Sequence, residues 1–174
     1  MSYLIIAYPQ ISEKDFSWIQ DYRKKNDKRY FSVVKPHFTV VFPISDILQE
    51  DFLTEAEKQI SNVEKFEFEL KVGTINLDDS GKYYHEFFVP EKGYSNIVKL
   101  HDRLYSGRFS GYLRHDIDFI PHIGIGNSLN VRESKQRIDQ LNESEVSISG
   151  IIDCLDAIEY KEGAVKTMKR FQLN

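Results

Sequence analysis

Two short stretches of this chain place a histidine directly after a proline and ahead of alternating apolar and small residues. They are Lys35-Pro36-His37-Phe38-Thr39-Val40-Val41 and Ile120-Pro121-His122-Ile123-Gly124-Ile125-Gly126. Side chains alternate faces along a strand, so His37 and Thr39 share one side while Phe38 and Val40 share the other. In the second stretch His122, Gly124 and Gly126 share a face, with Ile123 and Ile125 opposite. Each apolar set can enter a core and leave its histidine face presented. The two glycines leave room for a ligand to approach the backbone. Two imidazoles facing each other across a cleft, one neutral and one protonated near neutral pH, can attack a phosphodiester in line. One takes a proton from water or a hydroxyl, and the other protonates the departing oxygen. The Thr39 hydroxyl can donate to a non-bridging phosphate oxygen, where negative charge gathers. Nothing in the spacing signals a metal site or a cofactor. A single Pro-His-x-Thr is weak, because a histidine on a strand is more often structural. The duplicate, about half the chain away, carries the weight.

A basic, aromatic segment precedes each histidine strand. Arg23-Lys24-Lys25-Asn26-Asp27-Lys28-Arg29-Tyr30-Phe31 carries five bases against one acid, and Arg103 to His115 holds Arg103, Arg108 and Arg114 with no acid. Arg29, Tyr30 and Arg108 are therefore candidates to set cations by a phosphate and a ring against a base. Packing is the commoner fate of each ring taken singly. The remaining histidines read more plainly. His85 follows two tyrosines on a hairpin strand and reads as a surface or packing residue. His101 falls on the flank of a helical pattern, and His115 sits within the second basic segment, where substrate contact is possible. Cys154 reads as a small core hydrophobe, and Asp116 and Asp118 as solvated.

The elements that must position these groups follow from periodicity. Tyr3–Tyr8 is a short buried strand closed by Pro9. Ser12 opens a helix with Phe16, Ile19 and Tyr22 at helical spacing. Val33–Phe42 is a β-type run interrupted by Pro36. Asp46 or Asp51 is expected to cap a helix that turns Leu53, Ala56, Ile60 and Val63 inward. Phe66–Val72 alternates apolar and charged residues, and Tyr84–Val89 returns as its hairpin partner across Asp78-Asp79-Ser80-Gly81. Ser95 opens a further helix, Phe119–Gly126 is strand, and Asn130 caps the last helix. Val146–Ile152, Cys154–Tyr160 and Lys166–Leu173 close the chain as strands around Gly163. The result is a mixed α+β protein with more strand than helix, and the echo of the histidine stretches points to two similar lobes.

Composition sets the bounds. The chain has 174 residues, 41% hydrophobic and 13% aromatic, enough for one cored domain over residues 1–174 and too apolar for intrinsic disorder. With 23 Lys+Arg against 27 Asp+Glu, the net charge of −4 argues against a non-specific grip on long nucleic acid. One cysteine excludes an intrachain disulfide. No apolar run reaches the ~20 residues of a membrane span, and no signal peptide is evident, so a soluble cytoplasmic protein is expected.

With its paired Pro-His strands, its opening strand ending Tyr8-Pro9, the strand near Gly73, the helix before Arg103 and the closing Arg170-Phe171-Gln172-Leu173, the sequence resembles the two-histidine (2H) phosphoesterase superfamily over nearly its whole length. That superfamily includes the RNA 2',3'-cyclic phosphodiesterases, also called 2'-5' RNA ligases. The resemblance implies a duplicated two-lobe α+β fold, with antiparallel sheets lining a central cleft and helices outside. It implies His37 and His122 as the catalytic pair and Thr39 as a phosphate-binding hydroxyl. The expected activity is metal-independent hydrolysis of 2',3'-cyclic or 2'-5'-linked nucleotide or RNA phosphates, and the expected partners are RNA ends, short oligonucleotides or cyclic nucleotides bound by a monomer. The chain departs from the family pattern at Gly124, which stands where the second Thr or Ser belongs. Losing one such donor costs on the order of 10²-fold in rate unless something replaces it, and a backbone N–H, Asn127 or Ser128 lies nearby in sequence. Two alternatives follow: a phosphodiesterase for cyclic dinucleotide or oligonucleotide signals, or a nucleotide-end binding protein that has lost turnover.

Overall fold

In a computed structural model that describes residues 1–174, the N-terminal apolar run forms β1 (Ser2–Ala7), buried throughout except at Leu4. The two-residue strand β2 (Gln10–Ile11) follows, then α1 (Glu13–Asn26), capped by the Ser12 hydroxyl accepting from the Asp15 N–H at 3.1 Å. Next come β3 (Phe38–Ile44), α2 (Gln49–Ile60), β4 (Phe66–Leu77), β5 (Tyr84–Lys92) and α3 (Tyr94–Leu104). A 3₁₀ turn over Arg108–Tyr112 precedes β6 (Ile123–Ser128), α4 (Val131–Glu143), β7 (Ile148–Ile152), β8 (Cys154–Lys161) and β9 (Ala164–Gln172). Asn130 caps α4 as expected, accepting from the Arg132 N–H. Neither Asp46 nor Asp51 caps α2. Its N-cap is Leu48, without a side-chain bond, and the helix is held instead by burying Phe52, Ala56 and Ile60. The strand expected from Phe119 begins only at Ile123, because Pro121 has no N–H to give a ladder.

Two antiparallel sheets result, in the orders β3-β1-β8-β9 and β2-β7-β4-β5-β6. The expected duplication is present in them. Each sheet ends at an edge strand that follows a histidine, β3 after His37 and β6 after His122, paired with β1 and β5 respectively. The lobes are not consecutive halves of the chain, however. The first and last strands share one sheet, and the helices cross over: α1 packs on β6, while α3 packs on β3. Helices α1 and α4 cover one face of the β4-β5-β6 sheet, where Trp18 meets Phe88 and Arg137 meets Glu86. Helices α2 and α3 cover the other sheet, where Tyr3 meets Phe52 and His101 donates from Nδ1 to the Val40 carbonyl at 2.9 Å. His101 thus proves buried and structural rather than peripheral. The uncovered faces of the two sheets look at each other, and the candidate site lies between them. No helix is long and apolar enough to cross a membrane.

Candidate active site

Both histidines stand at the entry to an edge strand, and both are held in the same way. His37 Nδ1 lies 2.7 Å from the Lys35 carbonyl and His122 Nδ1 lies 2.5 Å from the Ile120 carbonyl, in each case the residue before the proline. A carbonyl only accepts, so each Nδ1 carries the proton, and Nε2 is left as the nitrogen free for a ligand. Proline supports this arrangement because the residue preceding it is biased to extended backbone, which carries its carbonyl past the turn. The tautomer is thereby fixed by the chain itself.

The two rings line one cavity of about 380 Å³, within the range of small-molecule sites. One sheet contributes Leu4, Ile6, Thr39, Ile158, Tyr160 and Val165 to its walls, and the other His85, Phe87, His122 and Gly124. Arg23 and Asp27 from the end of α1, with Tyr30 and Val34 from the loop after it, form a rim. Thr39 shares the His37 face of β3, as alternation requires, and its hydroxyl has no hydrogen-bond partner in the protein. Tyr8 sets its ring edge-on to His37 at 6.2 Å, and Phe87 stacks on His122 with centroids 3.4 Å apart. Three histidines face this space, yet no group of three or more His, Cys, Asp or Glu side chains stands close enough to hold a metal ion.

Burial dominates the electrostatics. It lowers the pKa of His37 to about 4, against a smaller upward pull from the Lys35 carbonyl. The same cause lowers His122 to about 4, opposed by the Ile120 carbonyl and reinforced by the neighbouring His37. Burial alone thus favours the neutral form of both imidazoles at pH 7, and the expected split between one neutral and one protonated ring needs a negative charge beside them. An anion placed between the rings supplies the charge that retains a proton on one of them. The lining holds a single cation, and it is already paired. Arg23 gives Nε and Nη2 to Asp27 Oδ2 at 3.1 and 2.8 Å, with both side chains buried.

The structure gathers His37, His122, Thr39, Gly124 and Tyr30 around this cavity and leaves out two arginines expected there. Arg29 turns outward onto Asp78 at 3.3 Å and lies over the Tyr83 ring at 4.1 Å, so it stands behind Tyr30 rather than inside. Arg108 belongs to the 3₁₀ turn packed on α2. Its guanidinium meets Asp51 at 2.6 Å and its N–H meets Glu55 at 2.9 Å, well away from the cavity. Phe109 in the same turn is buried against Phe52, and His115 is exposed. Arg108 and Phe109 therefore buttress α2, while Arg114 turns to Asp116 and to Asp79 of the β4–β5 turn, at 2.6 and 3.6 Å.

Gly124 and Gly126 do not play the same part either. Glu86 pairs with Gly126 but Phe87 with Gly124, so β6 carries one extra residue, a bulge at Ile125. A Cβ at Gly124 would meet nothing within 4 Å, whereas one at Gly126 would strike the Glu86 carboxylate. Asn127 does not stand in for the missing hydroxyl, since its amide is committed to Asp27 Oδ1 at 2.6 Å. Ser128 donates to Glu133. Sequence reasoning missed Arg23 and Asp27 as rim residues, and His85 as a wall residue. For His85 the available signal was its i, i+2 relation to Phe87 on an alternating strand.

The fold has solved counterparts. It superposes on TT0787 of Thermus thermophilus with a TM-score of 0.63 at 14% identity, covering 99% of this chain and 98% of that one. Escherichia coli LigT, solved in complex with 3'-AMP, gives 0.63 at 14% identity over 99% and 97%. Kluyveromyces marxianus Usb1 with uridine monophosphate gives 0.56 at 11% over 96% and 97%. No curated protein matches the sequence. A family profile does, over residues 9–164, which takes in both histidine strands, the whole β2-β7-β4-β5-β6 sheet, and β3 and β8 of the other. By that match the chain belongs to the 2'-5' RNA ligase superfamily.

Proposed function

We propose that this protein is a metal-independent phosphodiesterase for 2',3'-cyclic or 2'-5'-linked phosphates on nucleotides or RNA ends. The observation that carries the reading is the matched pair of imidazoles, one from each sheet, with identical tautomers and free Nε2 atoms on one cavity. In the reaction one Nε2 accepts a proton from water as its oxygen attacks phosphorus. The bond from phosphorus to the ribose oxygen breaks, and the other Nε2–H protonates that oxygen. The product is a phosphomonoester, and the two rings exchange protonation states. Thr39 Oγ–H donates to a non-bridging oxygen as charge builds there. The apolar walls, with Tyr30 and Tyr160, suit a nucleoside, and a lining with one cation already neutralised suits one phosphate rather than a long polyanion. Relatives of the same fold, LigT and Usb1, have been solved with mononucleotides.

The test is incubation with nucleoside 2',3'-cyclic phosphates in the presence of EDTA, with separation of the 2'- and 3'-phosphate products. Wild-type protein is expected to hydrolyse them, and His37→Ala and His122→Ala each to lose at least 10³-fold. Full activity in both variants rejects the mechanism. A second reading, a binding protein for nucleotide ends without turnover, is favoured by the single missing hydroxyl at Gly124. Stoichiometric binding of the cyclic phosphate with no product selects it.

A further inference from the structure

The cavity asks each sheet for a group that can hold phosphate, and only one sheet answers through its motif. From the β3 side Thr39 presents a free hydroxyl. From the β6 side Gly124 presents open space. Among the side chains that the second sheet contributes to the lining, namely His85, Phe87 and His122, only the two histidines are polar. His122 is taken by the acid–base step, which leaves His85.

Its placement fits the vacancy. His85 and Phe87 project from the same face of β5, and Phe87 pairs directly with Gly124. The Phe87 ring stacks on His122, so it does not fill the space over Gly124. His85 is the next side chain along that face, diagonal to Gly124, a separation that an aromatic side chain spans. Its ring runs parallel to Phe87, at 6.1 Å and 9°, and the Tyr30 ring lies 6.0 Å away, tilted by 32°. The imidazole is thus flanked by two aromatic rings that limit its rotation. His37, His101 and His122 each spend a nitrogen on a backbone carbonyl, whereas both nitrogens of His85 are free. Burial, and after it the charge of Arg29, lowers the His85 pKa, and a neutral imidazole still keeps one N–H to give.

We propose that His85 is the phosphate-binding donor of the second lobe, its N–H occupying the role that the residue at position 124 has given up. The inference rests on the phosphodiester reading for its reaction but not for its anion. It predicts that His85→Phe, which keeps an aromatic ring and removes the donor, lowers kcat on nucleoside 2',3'-cyclic phosphates by about 100-fold with a smaller effect on KM. His85→Gln, which keeps a donor, should stay within about tenfold of wild type, and Gly124→Thr added to His85→Phe should recover at least tenfold. Wild-type rates in His85→Phe overturn the inference, provided His37→Ala is inactive, and so does a loss that Gly124→Thr fails to repair. If wild-type protein hydrolyses nothing, the phosphodiesterase reading falls and binding decides the inference. Sulfate affinity measured by calorimetry is then expected to drop about tenfold in His85→Phe, and equal affinity overturns it.

Discussion

A half-buried imidazole whose Nδ1 already gives its proton to a carbonyl has one nitrogen left and less water around it to stabilise a charge. His37 and His122 are both in this condition, and each is pushed down to about 4. In the proposed reaction the anion therefore brings the acid with it: binding raises the pKa of one imidazole towards neutral pH, and the protonated ring is the donor. Histidine C2–H resonances followed by NMR should titrate well below 6.5 for both rings in the free protein. Sulfate, which does not titrate in this range, should move at least one midpoint up. Midpoints near 6.5 with no response to sulfate would contradict the account. These two residues were legible in sequence because everything that orients them is local: the proline, the carbonyl before it and the alternation after it. Arg29 and Arg108 were not, because a cation goes where its carboxylate is. Their partners, Asp78 and Asp51, come from distant stretches whose approach is set by tertiary packing. Arg23 was hidden for a related reason: with five bases against one acid in the segment, nothing local says which of them the single carboxylate, Asp27, will hold.

Among the elements, β4 is the longest strand and outruns its neighbour. It pairs with β7 only over Phe66–Leu70, so beyond that point its outer edge has no strand beside it. Asn142 at the end of α4 takes the place of one. Its Oδ1 accepts from the Gly73 N–H at 2.7 Å and its amide donates to the Gly73 carbonyl at 3.0 Å, a side chain imitating a strand's backbone. Asn142→Ala removes both bonds and is expected to lower stability by about 1–2 kcal/mol, read from urea denaturation. No change in the midpoint would show that water substitutes fully at that edge. Strands β4 and β5 and the cap of α4 were readable from alternation and from a capping asparagine. The crossing of α1 onto β6 and of α3 onto β3 was not, because periodicity names the buried face of a helix and not the sheet that buries it.

At the scale of the whole molecule, the two depressed imidazoles oppose folding in acid. Between about 4 and 6.5 the unfolded chain binds protons that the folded chain refuses, so stability is fully present above pH 6.5 and falls as pH drops through that window. Urea midpoints measured at pH 7, 5.5 and 4.5 (on the order of these values) should decline, and His122→Asn should flatten the decline. An identical slope in both proteins would mean the rings are protonated as easily folded as unfolded. The interleaved topology bears on how the cleft comes into being. β1 lies between β3 and β8, and the cavity wall includes Ile158, Tyr160 and Val165 from the last two strands. Both histidines precede those strands in the chain, so a polypeptide made from its N-terminus has both rings before it has that wall. The cleft stays open on one side until β8 has docked on β1 and β9 on β8, so a ligand that needs both walls is held only once those two pairings are made.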